Sequence, residues 1–121
     1  MDWTRWPDFP KHEMTCKCGE CVLALMQPHV MDSLQVLRTR IGRPLGISSG
    51  YRCPKHNKAV RSTSTNHTGG WAVDIKCKAG GLKYDVLSEA PRLGFTRIGI
   101  HNDFIHLDMN PNMPQKIVWF Y

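Results

Sequence analysis

The stretch Thr65-Asn66-His67-Thr68-Gly69-Gly70-Trp71-Ala72-Val73-Asp74 sets an imidazole in a glycine-bearing loop and a carboxylate on the segment that follows. A chain that turns back at Gly69-Gly70 can bring His67 and Asp74 to one point, which positions along a straight strand could not achieve. Downstream, Asp103-Phe104-Ile105-His106-Leu107-Asp108 offers a third donor. His106 alternates with Ile105 and Leu107 and therefore faces away from their apolar side. Two imidazoles and one carboxylate leave a fourth position on zinc for water, the composition of a catalytic site rather than a closed structural one. A lone histidine on a strand is more often a satisfied structural group than a ligand.

Hydrolysis at such a site needs a base that sits near the metal without ligating it. Asp103, three residues before His106 and at a turn, fits that need, although aspartate in a tight turn also has a purely structural reason to be there. Asp108 competes for the role; two residues beyond His106 on the same strand face, it could instead orient the imidazole. Arg52, in Ser48-Ser49-Gly50-Tyr51-Arg52, is planar and always protonated, suited to charge developing on a carbonyl oxygen or to a substrate carboxylate. The plainer reading of Arg52 is a surface ion pair of small worth. His101 is an alternative base or substrate contact, and His56 with Asn57 reads as a loop-stabilising pair.

Cys16-x-Cys18-x-x-Cys21, with His12 upstream and Cys53 and Cys77 elsewhere, has a spacing compatible with a second, structural zinc. Three close cysteines leave the fourth ligand unspecified, and reduced thiols in a loop are the simpler expectation. Five cysteines cannot all pair within one chain, so a disulfide framework is not expected.

The elements that must position these residues are legible from periodicity. Val30, Leu34, Leu37 and Ile41 recur at helical spacing from Pro28, with Gly42 placed to end the run. Leu45 to Tyr51 and Trp71 to Cys77 read as strands, the second alternating Trp71, Val73 and Ile75 against Ala72, Asp74 and Lys76. A helix from Leu82 should end or bend near Ala90 because of Pro91. Phe95 to Ile100 and Phe104 to Met109 read as a hairpin joined by His101-Asn102-Asp103, and Ile117 to Tyr121 as an edge strand or cap, with Trp119 and Tyr121 in the core or the cleft wall. The sum is an α+β domain, a small, mainly antiparallel sheet packed against helices.

The 121 residues suit one domain, 1–121, in which 1–27 is an aromatic and cysteine-containing arm and 28–121 the core. Trp3, Trp6 and Phe9, set between Pro7 and Pro10, suggest an arm that packs onto the body rather than forming an element of its own. No apolar run is long enough to cross a bilayer, and no signal peptide is evident, so synthesis in the cytoplasm is expected. The formal charge of +6 favours a polyanionic partner, for which bacterial cell wall qualifies as well as nucleic acid. The basic residues are scattered and not interleaved with aromatics, so no motif supports nucleic acid.

In order along the chain, Leu34 to Arg38, Ser49-Gly50-Tyr51-Arg52-Cys53-Pro54-Lys55-His56-Asn57, the SxHxxGxAxD-like run from Thr65 to Asp74, Leu93-Gly94-Phe95, Ile98-Gly99-Ile100 and Phe104 to Asp108 resemble the zinc D-Ala-D-Ala peptidases. That group holds D-alanyl-D-alanine carboxypeptidases, D-Ala-D-Ala dipeptidases and phage L-alanyl-D-glutamate endolysins, and shares its fold with the hedgehog signalling domain. The resemblance spans roughly Pro28 to Trp119. It implies zinc on His67, Asp74 and His106, Asp103 as general base, Arg52 polarising the substrate, and hydrolysis of a peptide bond in the peptidoglycan stem peptide. Thr65 stands where the family usually has Ser, and Arg61-Ser62 where it often has Gly-Gly, a change that bears on substrate preference. A monomer with no membrane partner is expected, and the resemblance implies that it meets the wall after release from the cell or within a phage particle. The alternative from another class is a non-catalytic, zinc-braced module that binds wall polymer or a protein.

Overall fold

A computed structural model describes Met1 to Tyr121. In chain order it contains α1 (Lys11–Met14), α2 (Pro28–Ile41), β1 (Gly46–Ser49), α3 (Pro54–Ala59), β2 (Ala72–Lys76), α4 (Gly81–Glu89), β3 (Arg97–Ile100), β4 (Phe104–Asp108) and β5 (Ile117–Phe120), with 3-10 turns at Trp3–Arg5 and Ala90–Leu93. No helix is long and apolar enough to cross a membrane.

The five strands form one sheet in the order β1-β2-β4-β3-β5, every pairing antiparallel except the β3–β5 edge. One face carries Ile47, Val73, Ile75, Ile98, Ile105 and Leu107, which share a single buried core with Val30, Met31, Leu34 and Leu37 of α2 and Val86 of α4. Period-two alternation therefore sends the intervening residues to the opposite face. The register places Ser49 beside Asp74, Asp74 beside His106, His106 beside Gly99 and Gly99 beside Trp119, one row running across all five strands. In the next row, Ala72 opposes Asp108 and Asp108 opposes Arg97. A bulge between Ile47 and Ser49 turns Ser49 toward the polar row.

The arm does pack on the body, with Trp6 and Phe9 fully buried and the Trp6 indole donating to Asp32 Oδ1 of α2 at 2.9 Å. It also forms the 3-10 turn and α1, both too short to leave a periodic signal in the sequence. Asp2 caps the turn by accepting from the Thr4 amide at 3.0 Å, and Pro10 precedes α1. α3 was equally unforeseen, being too short for a periodic signal; it starts from Cys53 as its cap with Pro54 at its first position. The proline effect at residue 91 is as expected, α4 ending at Glu89 and tightening into the 3-10 turn.

The arm also braces the motif loop. The Gln27 amide donates to the Gly70 carbonyl at 3.0 Å, and its side-chain amide donates to the Gly69 carbonyl at 3.0 Å. Gly70 has φ +74°, and a Cβ there would lie 2.1 Å from the Leu25 carbonyl oxygen. Gly70→Ala should therefore cost about 2–4 kcal/mol, from the left-handed backbone and the clash together, read as a lower urea midpoint. An unchanged midpoint would mean that this close approach does not constrain the loop.

Candidate metal centre and cleft

The motif loop turns back as its glycines suggest, the Gly69 amide donating to the Thr65 carbonyl at 2.8 Å and the Trp71 amide to the Asn66 carbonyl at 2.9 Å. His67 is thereby lowered onto the polar face of the sheet, where Asp74 and His106 already stand side by side. All three are buried, and their ligating atoms lie within 4.8 Å of one another. His67 Nδ1 is 2.8 Å from the Gly50 carbonyl, which can only accept, so that nitrogen carries the proton. The lone pair of His67 then sits on Nε2, which is buried without a hydrogen-bond partner and lies 3.4 Å from Asp74 Oδ2.

His106 presents Nδ1 to Asp74 Oδ1 at 3.0 Å and Nε2 to Asp108 Oδ2 at 2.6 Å. Asp108 is fully buried and also accepts from Arg97 Nε at 2.6 Å. Burial alone would raise the Asp74 carboxyl, but the hydrogen bond from His106 and the nearness of His67 outweigh it and hold Asp74 well below the usual carboxylate range. Burial would lower His106, yet the bonds to Asp108 and Asp74 raise its imidazole above the ordinary value.

These donors fit a metal ion. A tetrahedron of roughly 2.1 Å zinc bonds has edges of about 3.4 Å, and the two imidazoles flank opposite oxygens of Asp74, His106 Nδ1 3.0 Å from Oδ1 and His67 Nε2 3.4 Å from Oδ2, so small side-chain shifts bring all three donors onto one ion. The orphaned Nε2 of His67 is the buried acceptor such an ion would occupy, and the bonds at Gly50 and Asp108 fix each ring's orientation from behind.

The cleft over this centre has a volume of about 370 Å³ and is lined by Arg52, Ser62, Ser64, Asn66, Phe104, Trp119 and Tyr121 besides the three donors. Arg52 is held by Asn57 Oδ1 at 3.1 Å and Ser49 Oγ at 3.4 Å. Asn57 in turn donates to the Ser64 carbonyl at 2.8 Å, so it steadies both the arginine and the loop before His67. Trp119 reaches the cleft across Gly99, where a Cβ would come within 2.6 Å of the indole, and its ring centroid lies 5.3 Å from that of His106. A second lobe, also about 370 Å³, shares Arg52, Asp74 and Phe104 with the first and continues past Lys17, Ser48 and His56.

The model of the Peptidase M15 family matches residues 7–108. The chain belongs to the M15 peptidases. No curated protein matches it closely enough to report. M15 peptidases are zinc-dependent, and the chain has two groups of candidate metal-binding side chains, of which His67, Asp74 and His106 line the cleft. The M15 match stops at Asp108, so the aromatic walls Trp119 and Tyr121 lie beyond it.

The structure thus brings together His67, Asp74, His106 and Arg52. Asp103 is not among the lining residues: its side chain is 66% exposed at the hairpin turn, where its amide donates to His101 Nδ1 at 3.0 Å. Asp108 is occupied on both sides by His106 and Arg97, the orienting role rather than that of a free base. Sequence reasoning missed Arg97 and Asn66 as parts of the site. A charged residue interrupting the apolar run from Phe95 to Ile100 was the available signal for the first.

Because His106 Nδ1 must lose its proton to ligate, zinc affinity should fall as pH drops through the raised imidazole pKa and level off above it, while Asp74 stays ionised throughout. Asp108→Asn should weaken zinc binding about 10–100-fold. Calorimetric titration across pH checks both; a pH-independent affinity, or an unaltered one in the variant, would contradict these roles.

Proposed function

We propose that the chain hydrolyses an internal peptide bond in the peptidoglycan stem peptide, the endopeptidase rather than the carboxypeptidase branch of the M15 activities. The observation that carries this reading is a second pocket of about 370 Å³ that adjoins the first, sharing Arg52, Asp74 and Phe104 as lining. A carboxypeptidase needs space for only one residue beyond the scissile bond; a second lobe suits a substrate that extends both ways.

His67, Asp74 and His106 would hold the zinc ion, which when bound would supply Lewis-acid polarisation of the scissile carbonyl and of the attacking water. The other roles belong to the chain. Arg52, kept aimed into the cleft by Asn57 and Ser49, places a fixed positive charge against the oxygen on which negative charge develops. Phe104, Trp119 and Tyr121 form an apolar wall that limits water around the reacting groups. Asp103 accepts the proton of the attacking water and returns it to the leaving amine. Its support is the resemblance, its place one residue before the cleft-lining Phe104, and the engagement of Asp108 elsewhere. From its exposed position the side chain must turn toward the cleft when substrate binds.

Purified peptidoglycan digested by the zinc-loaded protein should release fragments with new amino ends at an internal stem-peptide bond, abolished by chelation. Release of free D-Ala alone would overturn the endopeptidase assignment, and intact wall with zinc bound would point to a binding module. Asp103→Asn should retain zinc while lowering turnover by at least about 100-fold; turnover near wild type would remove Asp103 from the mechanism.

A further inference from the structure

The catalytic trio leaves the cysteines without a role, yet four of them converge. The sulfur atoms of Cys16, Cys18, Cys21 and Cys53 all lie within 4.8 Å of one another, whereas Cys77 stands apart. All five are free thiols, with Cys18 and Cys21 sulfurs 3.3 Å apart. The unspecified fourth member of the sequence cluster is therefore Cys53, the cap of α3, 37 residues beyond Cys16.

Backbone amides are aimed at these sulfurs. Cys18 Sγ accepts from Glu20 and Cys21 at 3.4 and 3.3 Å, Cys16 Sγ from Cys53 at 3.3 Å, and Cys53 Sγ from His56 at 3.4 Å. Such donors favour thiolate over thiol, and four thiolates gathered without a cation would repel one another. Four sulfurs around one zinc ion at about 2.3 Å would be separated by about 3.8 Å, a spacing reached here by small side-chain shifts.

We propose that Cys16, Cys18, Cys21 and Cys53 hold a second zinc ion that is structural, fastening the N-terminal arm to the loop that carries Arg52. Four protein thiolates complete a tetrahedron and leave no open position, which separates this site chemically from the catalytic one. The clip joins residues 37 positions apart and sits next to contacts that serve the cleft: the Tyr51 amide donates to the Met14 carbonyl at 3.0 Å, and Arg52 directly precedes Cys53. It acts as a metal staple for a small domain without disulfides. The proposal does not depend on the substrate assigned above.

Cobalt substitution of the full chain tests it, since only a thiolate-ligated ion gives intense sulfur-to-cobalt charge-transfer absorption in the near ultraviolet, which the His67-Asp74-His106 site cannot produce. The wild type should bind two ions per chain and show this absorption. Cys18→Ser and Cys21→Ser should each weaken the band, and the double variant should bind one ion and lose it; His106→Ala should bind one and keep it. One ion per chain without the band, or five thiols reacting freely in the native zinc-loaded protein, would overturn the proposal. The wild-type spectrum and thiol count decide the matter even if the cysteine variants do not fold.

Discussion

Burying charge is the constraint around which this domain is arranged. Asp74, His106, Asp108 and Arg97 are all nearly inaccessible to water, in a chain of 121 residues with little core to offset their desolvation. They are tolerable only because sheet register makes them neighbours of opposite sign: Asp74 across from His106, Asp108 across from Arg97, and His106 bridging the two carboxylates. A slip of one residue in β4 would send Ile105 and Leu107 into the cleft and the charged residues into the core. The apolar face therefore fixes the site as firmly as the site's own hydrogen bonds do.

From that row the remaining features follow as supports. Gly99 leaves room for Trp119 to lean over His106, so an edge strand supplies a cleft wall. The Gly50 carbonyl fixes the tautomer of His67, and Asn57 joins Arg52 to the loop before His67. His67, His106 and Arg52 are each held by a second group that orients them, the arrangement expected where a fraction of an ångström matters to reactivity.

Much of this was legible because strand alternation is a strong signal. Val73 and Ile75 against Asp74, and Ile105 and Leu107 against His106, were enough to place two donors on one face, and the glycines after His67 marked the turn that adds the third. Helix α2 carried both a periodic apolar stripe and clear end signals. Other features were hidden for identifiable reasons. α3 spans only Pro54–Ala59, under two turns, so no periodicity could reveal it. The parallel docking of β5 on β3 and the partnership of Arg97 with Asp108 depend on long-range pairing that local patterns do not encode. Cys53 could not be joined to Cys16, Cys18 and Cys21 without knowing that α1 packs against β1. Asp103 is the position where spacing and geometry differ most: its interval to His106 suggests chemistry, while its side chain rests at a solvent-facing turn.

How a metal is held at the buried row is tested most directly by anomalous diffraction at the zinc edge from crystals of the zinc-loaded chain. It should reveal an ion bound by Nε2 of His67, Nδ1 of His106 and the Asp74 carboxylate, with Nε2 of His106 still on Asp108. No anomalous peak among these residues, or one bound through Nε2 of His106, would contradict this arrangement.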